Sequence, residues 1–249
     1  EIMERHFYVM EKKEGVVLDD SMPDQFKNIP EAGRLISEAV AKTLIKLHEI
    51  DYKKAGLETL GRPEGFLTRQ VHGWIKRYNQ SKTDDIPGVE ELEKWLVDNI
   101  PESPEPTIVH NDYKLNNMMF ASDDPGKIVG LFDWELSTIG DPLTDVAAMI
   151  IYWEEEGDPF TGLTSVTREP GFASRKEMLE MYVKESGRNL DHFDFYLTFG
   201  FYKVAGILQQ IYYRWKMGSA KDERFSTLDK GIRNLMEQAL RARRGELIR

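Results

Sequence analysis

The sequence predicts an α+β fold. Apolar residues recur at helical spacing toward both ends of the chain, and short β-prone runs crowd its middle. Pro101, Pro104 and Pro106 divide the first helical region from the strands. That order, strands within a mainly helical body, is the α+β pattern.

Residues 1–18 read as strand, turn, strand. Phe7 to Met10 is β-prone, Lys12-Lys13-Glu14-Gly15 breaks it, and Val16-Val17-Leu18 resumes it. Leu35, Ile36, Ala39, Val40, Leu44 and Leu47 give a helix over 31–50. Turns follow through Gly56, Gly61, Pro63 and Gly65. Further helices are expected over 66–80, on Leu67, Val71, Trp74, Ile75 and Tyr78, and over 88–99, on Leu92, Trp95 and Leu96. Strands are expected at 107–109, 118–120 and 127–132, with a turn at Pro125-Gly126. After Asp133 the chain reads as helical to its end. Asp141-Pro142 has the form of an N-cap followed by proline at the first helical position. Ser174 to Glu177 fits a capping box opening a helix to about residue 186. A long apolar helix over 191–215 and an amphipathic one over 225–243 complete the chain. Asp19-Asp20 and Glu154-Glu155-Glu156 read as solvated faces.

Composition narrows the function. A chain of 249 residues makes one large domain or two modest ones. Its 33 basic against 43 acidic residues give a net charge of −10, which argues against nucleic acid or an anionic membrane as partner. The absence of Cys excludes disulfide scaffolds, thiolate metal sites and a cysteine nucleophile. No apolar run approaches the ~18 residues of a membrane span, and no signal-peptide pattern opens the chain. A cytoplasmic location is therefore expected. Glu1 stands where a start Met would, with β-prone sequence directly after it, so further sequence is expected upstream.

The chemistry concentrates in His110-Asn111-Asp112-Tyr113-Lys114-Leu115-Asn116-Asn117, then in Asp133-Trp134-Glu135. Two carboxylates and a carboxamide on loops between short strands suit Mg²⁺, which takes one or two carboxylates beside phosphate oxygens. One Asp then orients a hydroxyl while the other holds metal. The spacing His-x-Asp-x-x-x-x-Asn is that of the protein-kinase catalytic loop, and a strand leading into a second Asp follows it there as well.

On these residues the chain resembles the aminoglycoside phosphotransferase/choline kinase-like family, which has a protein-kinase-like fold. It is especially similar to the branch containing kinase-like domains fused to some acyl-CoA dehydrogenases. The run Leu136 to Asp145 and the segment Ile207 to Tyr212 match that branch. The resemblance covers essentially the whole chain. It implies a γ-phosphate transfer from ATP with Mg²⁺ to a small-molecule hydroxyl. Asp112 would be the catalytic base, and Asn117 and Asp133 the Mg²⁺ ligands. His110 and Asp145 would brace the catalytic loop. Residues 1–14 would be the last N-lobe strand and the hinge, with the backbone of Glu11 and Lys13 at the adenine and Met10 behind the purine. Residues 15–249 would be the C-lobe, with the catalytic loop at 108–120 and the metal segment at 128–135. Helices in 31–100 and 174–245 would form the substrate subdomain.

Lys114 reads either as a group neutralising the transferred phosphate or as a surface residue. Trp134, His48 and His72 read as packing or surface positions. The aromatic helix carrying Tyr196, Phe199, Tyr202, Ile207 and Tyr212 reads as core, or as the apolar wall of an acceptor pocket. Lys203, Gln209, Gln210 and Arg214 have weaker claims on an acceptor. The sequence leaves open a hydroxyacyl compound, an amino alcohol or an aminoglycoside, with the fused-dehydrogenase likeness favouring the first.

Two departures stand out. Asn111 occupies the position where the family carries Gly; asparagine tolerates left-handed backbone better than most residues. The glycine-rich phosphate loop and the N-lobe lysine do not occur in this sequence, and Gly126-Lys127-Ile128 lacks the glycines of a P-loop. Phosphoryl transfer draws on both lobes, so the chain alone is expected to be a poor enzyme. A non-catalytic, pseudokinase-like binding module and a Mg²⁺-dependent hydrolase are the competing readings.

Overall fold

The structure is a computed structural model, and it describes residues 9–163 and 165–248. In chain order the elements are β1 (Val16–Val17), α1 (Ala32–His48), α2 (Phe66–Ser81), α3 (Val89–Asp98), β2 (Thr107–Val109), β3 (Met118–Ala121), β4 (Asp124–Leu131), β5 (Thr138–Gly140), α4 (Pro142–Ile151), α5 (Arg175–Ser186), α6 (Phe193–Lys216) and α7 (Leu228–Arg243). The fold is α+β: two small antiparallel sheets are set into a helical body.

The sheets are built so that two loops meet. In one, β3 lies between β1 and β4, with Val16 opposite Phe120 and Met118 opposite Leu131. In the other, β2 pairs with β5, Ile108 opposite Ile139. The chain leaving β2 therefore emerges beside the chain entering β5, and the loop between β4 and β5 faces the loop between β2 and β3.

The helices supply the core. α1 buries Ile36, Val40, Leu44 and Leu47 at three- and four-residue spacing. α6 packs against α2, α3, α4 and α7, which explains why its buried residues, Phe195, Phe199, Tyr202, Leu208 and Tyr212 among them, are not confined to one stripe. Both predicted caps form. The Asp141 side chain accepts from the Leu143 N–H at 3.0 Å. Ser174 Oγ accepts from the Glu177 N–H at 3.2 Å, and Glu177 Oε2 accepts from the Ser174 N–H at 2.8 Å. Ser174→Ala removes half of this reciprocal pair and is expected to lower stability by about 1 kcal/mol, read from the denaturant midpoint. An unchanged midpoint would show that α5 is held by tertiary packing alone.

The structure corrects four expectations. Val9 and Met10 are exposed and outside any strand; Phe7 and Tyr8 lie outside the described residues. The turn expected at Pro125-Gly126 falls instead at Ser122-Asp123, and β4 begins at Asp124. Pro125 is tolerated because β4 is an edge strand, where a missing N–H breaks no ladder. After Asp133 the chain is not continuously helical: a single 3-10 turn at Trp134–Leu136 leads into β5 before α4 begins. Glu154 is not a solvated residue. It is buried, and its carboxylate accepts from Thr161 Oγ1 at 2.5 Å and Arg168 Nε at 2.8 Å. Among the described residues, no helix is long and apolar enough to cross a membrane.

Candidate active site

The turn after β2 presents His110, Asn111 and Asp112, and buried hydrogen bonds fix it. The two oxygens of Asp145, in the first turns of α4, accept from the His110 N–H at 2.6 Å and the Asn111 N–H at 2.7 Å. Asp145 is fully buried. His48 Nε2 lies 3.6 Å from it, beyond hydrogen-bond range, while His48 Nδ1 is 2.9 Å from the Tyr182 hydroxyl. Asn111 is in the left-handed region, φ 66°, as a residue replacing glycine there must be. Its side-chain amide donates to the Leu136 carbonyl at 2.9 Å.

His110 joins the two loops. Its Nδ1 accepts from the Asp112 N–H at 3.3 Å, which makes Nε2 the protonated nitrogen, donating to the Phe132 carbonyl at 2.9 Å. The Phe132 N–H in turn donates to the Asn117 carbonyl at 2.9 Å. Asp133 follows directly, so its position is tied through the main chain to both His110 and Asn117. Asp133 is also left-handed, φ 66°, and is exposed. Trp134 is partly exposed, its ring centroid 4.8 Å from that of His110 and its Nε1 donating to the Leu131 carbonyl.

Asp112 has two side-chain partners. Asn117 Nδ2 donates to its Oδ2 at 2.8 Å and to its carbonyl at 2.9 Å. Lys114 Nζ is 2.8 Å from the same Oδ2 and sits over the Tyr152 ring, 5.4 Å from its centroid. Lys114 is thus inside the cleft rather than on the surface. With its nitrogen turned to Asp112, Asn117 leaves Oδ1 as the atom that could take a metal. No hydrogen bond or ion pair engages the Asp133 carboxylate among the described residues. One carboxylate and one amide oxygen suit a Mg²⁺ whose remaining ligands are phosphate oxygens and water. Among the described residues there is no cluster of three or more His, Asp or Glu side chains that would cage a metal alone.

A cavity of about 720 Å³ opens onto Asp112, Asn111 and Lys114. Tyr196, Phe199 and Ile207 of α6 line it, with Trp74 and Arg77 of α2 opposite. Lys203 and Arg214 also face it. Gln209, Tyr202 and Tyr212 do not. Gln209 donates to the Ser81 carbonyl at 2.8 Å and Tyr202 donates to Glu93 at 2.6 Å, so both serve the core. Burial pushes the Lys203 ammonium below the usual lysine range, against the attraction of Asp145 and Asp112. Burial and the Asp112 charge push the Tyr152 phenol up. Trp74 and Arg77 were missed as site residues, because at helical spacing an amphipathic helix facing a cavity reads like one facing a core. At the other end, Glu11 and Lys13 form an exposed ion pair at 2.8 Å, and Met10 is exposed.

The profile of the phosphotransferase enzyme family matches residues 1–177. The chain belongs to this family. Mouse acyl-CoA dehydrogenase family member 11 is 33% identical over 222 residues, which is 87% of this chain and 28% of the relative. Mouse family member 10 is 34% identical over 220 residues, 86% of this chain and 20% of that protein. This phosphotransferase-family chain therefore spans less than a third of the length of these relatives. A crystal structure from Ralstonia eutropha, provisionally assigned as an aminoglycoside phosphotransferase, superposes with a TM-score of 0.83 at 29% identity, over 95% of this chain and 72% of the other. Choline kinase from Cryptosporidium parvum shares the fold at 15% identity, with a TM-score of 0.54 over 92% of this chain and 73% of that one. The protein-kinase-like phosphotransferase fold is thereby shown.

Proposed function

We propose that this chain carries the C-lobe of an ATP- and Mg²⁺-dependent phosphotransferase acting on a small-molecule hydroxyl. The observation that carries this reading is the cavity opening onto Asp112, a carboxylate presented on a loop anchored at both oxygens of Asp145. Asp112 accepts the proton of the acceptor hydroxyl as its oxygen bonds to the γ-phosphorus, and the bond from that phosphorus to the ADP oxygen breaks. Asn117 Oδ1 and Asp133 hold the Mg²⁺, which when bound offsets phosphate charge. Lys114, already paired with Asp112, is placed to move onto the transferred phosphate. Glu11 and Lys13 offer their backbone to the adenine, and Met10 covers the purine. Residues 11–14 act as the hinge, and residues 15–249 as the C-lobe.

The acceptor follows from the charge of the cavity. Its lining holds Arg77, Lys114, Lys203 and Arg214 against a single carboxylate, Asp112, in a chain whose net charge is −10. Arg77 and Lys203 have no carboxylate within ion-pair distance among the described residues, and Arg77 lies over the Trp74 ring at 4.8 Å. Cations beside apolar and aromatic walls favour an acceptor with an anionic group and an apolar body, such as a hydroxylated acyl compound, over a polycationic aminoglycoside.

Release of ADP, measured against a panel of hydroxyacyl thioesters, amino alcohols, aminoglycosides and sugars, tests this on the longest native form of the protein. Turnover of the hydroxyacyl compounds is expected. Exclusive turnover of an aminoglycoside would overturn the acceptor assignment. Nucleotide binding without turnover of any acceptor would favour a non-catalytic binding module.

A further inference from the structure

Lys203 is a cation embedded in α6, with no carboxylate within ion-pair distance among the described residues. Its ammonium donates instead to a neutral group, the Asn111 carbonyl, at 3.0 Å. That carbonyl belongs to the peptide joining Asn111 to Asp112, and the N–H of the same peptide donates to His110 Nδ1 at 3.3 Å. The plane preceding Asp112 is therefore held at both edges. One anchor comes from within the loop, the other from the helix that forms the cavity wall. Asn111 is left-handed, a conformation that non-glycine residues adopt uncommonly, so the orientation of this peptide leans on its partners.

We propose that Lys203 is a positioning residue that sets the direction of Asp112 by clamping the Asn111 carbonyl, tying the acceptor-facing wall of α6 to the base. The proposal rests on Asp112 being the base. The groups facing Lys203 are Asp112 and Lys114 of the loop, Asp145 of α4 and Arg77 of α2. Burial disfavours the charged ammonium, the two carboxylates favour it, and the two cations oppose them. A methionine of similar volume would satisfy the packing and would leave the carbonyl without its donor.

Hydrogen exchange read by mass spectrometry, on the full chain and its K203M and K203R variants, tests the clamp without requiring turnover. In K203M, amides in the segment 110–113 are expected to exchange about tenfold faster, the worth of a charge-assisted hydrogen bond. Amides of α5 and α7 should be unaffected, and K203R should restore protection. Once an acceptor is in hand, K203M should lower kcat and leave the KM for MgATP unchanged. Wild-type exchange at 110–113 in K203M would overturn the clamp, as would acceleration spread equally over α5 and α7. A rise in acceptor KM with exchange unchanged would make Lys203 an acceptor contact instead. Should K203M fail to fold, K203L gives the same comparison against K203R, since it also brings no donor to the Asn111 carbonyl. Because exchange is independent of phosphoryl transfer, loosening without any turnover would fault the assigned activity, and turnover without loosening would fault the clamp.

Discussion

Asp112→Asn is expected to reduce turnover by about 10²–10⁴-fold, the usual contribution of a positioned general base. The substitution keeps one oxygen to accept from Asn117 and is nearly isosteric, so the loop should stay in place. It removes the group that takes the hydroxyl proton and the charge that holds Lys114. Nucleotide affinity should be nearly unchanged, because the nucleotide is held by the hinge backbone and the metal ligands in the proposed arrangement. Coupled ADP release gives the turnover. Thermal stabilisation by Mg²⁺·ATP gives the affinity, and saturation at 100 times Kd should contribute about 2.7 kcal/mol if ligand binds only the folded state. Turnover at the wild-type level would remove Asp112 from the mechanism.

Asp145→Ala should have the largest effect on stability of any single change in the site. Both carboxylate oxygens are engaged at 2.6 and 2.7 Å, and the group is fully buried. Truncation leaves the amides of His110 and Asn111 without acceptors, at about 1–3 kcal/mol each. A total loss of roughly 2–6 kcal/mol follows, and at this size each kcal/mol lowers Tm by about 2–4 °C. Asp145→Asn should recover part of that loss, since its oxygen still accepts from one of the two amides while its NH2 is turned against the N–H of the other. Turnover should fall together with stability, because the same bonds hold the backbone of Asp112. A Tm for the alanine variant within about 2 °C of wild type, less than 1 kcal/mol at this size, would mean the loop is held mainly by its other contacts.

The helices were legible because each carries its own evidence. The stripe of α1, the Asp141 cap and the Ser174 box are local, and local signals survive in a single sequence. β5 was not legible. Thr138-Ile139-Gly140 is too short to alternate, and it is a strand only because β2 lies beside it. The shifted hairpin has a similar cause: Pro and Gly mark a turn wherever they occur, yet an edge strand accepts both. Glu154 looked solvated as one of three glutamates, and only the fold brings Arg168 and Thr161 to it. In the site, His110, Asp112 and Asn117 stood out by spacing and Asp145 by the family resemblance, and the structure brings them together. The cavity wall did not stand out. Trp74 and Arg77 come from a helix distant in sequence, and Lys203 showed no sign of reaching Asn111 rather than a ligand.

The seam between the two loops is written in main-chain atoms. Phe132 offers its carbonyl to His110 and its N–H to Asn117, and its side chain takes no part in either bond. The joint is therefore largely insensitive to which amino acid occupies position 132. Nearly any residue would preserve it, and only proline, which has no N–H to give, would sever the link to Asn117 outright. Substitution tolerance at this position would make it look dispensable, although the relative placement of Asp112 and Asp133 passes through its peptide groups.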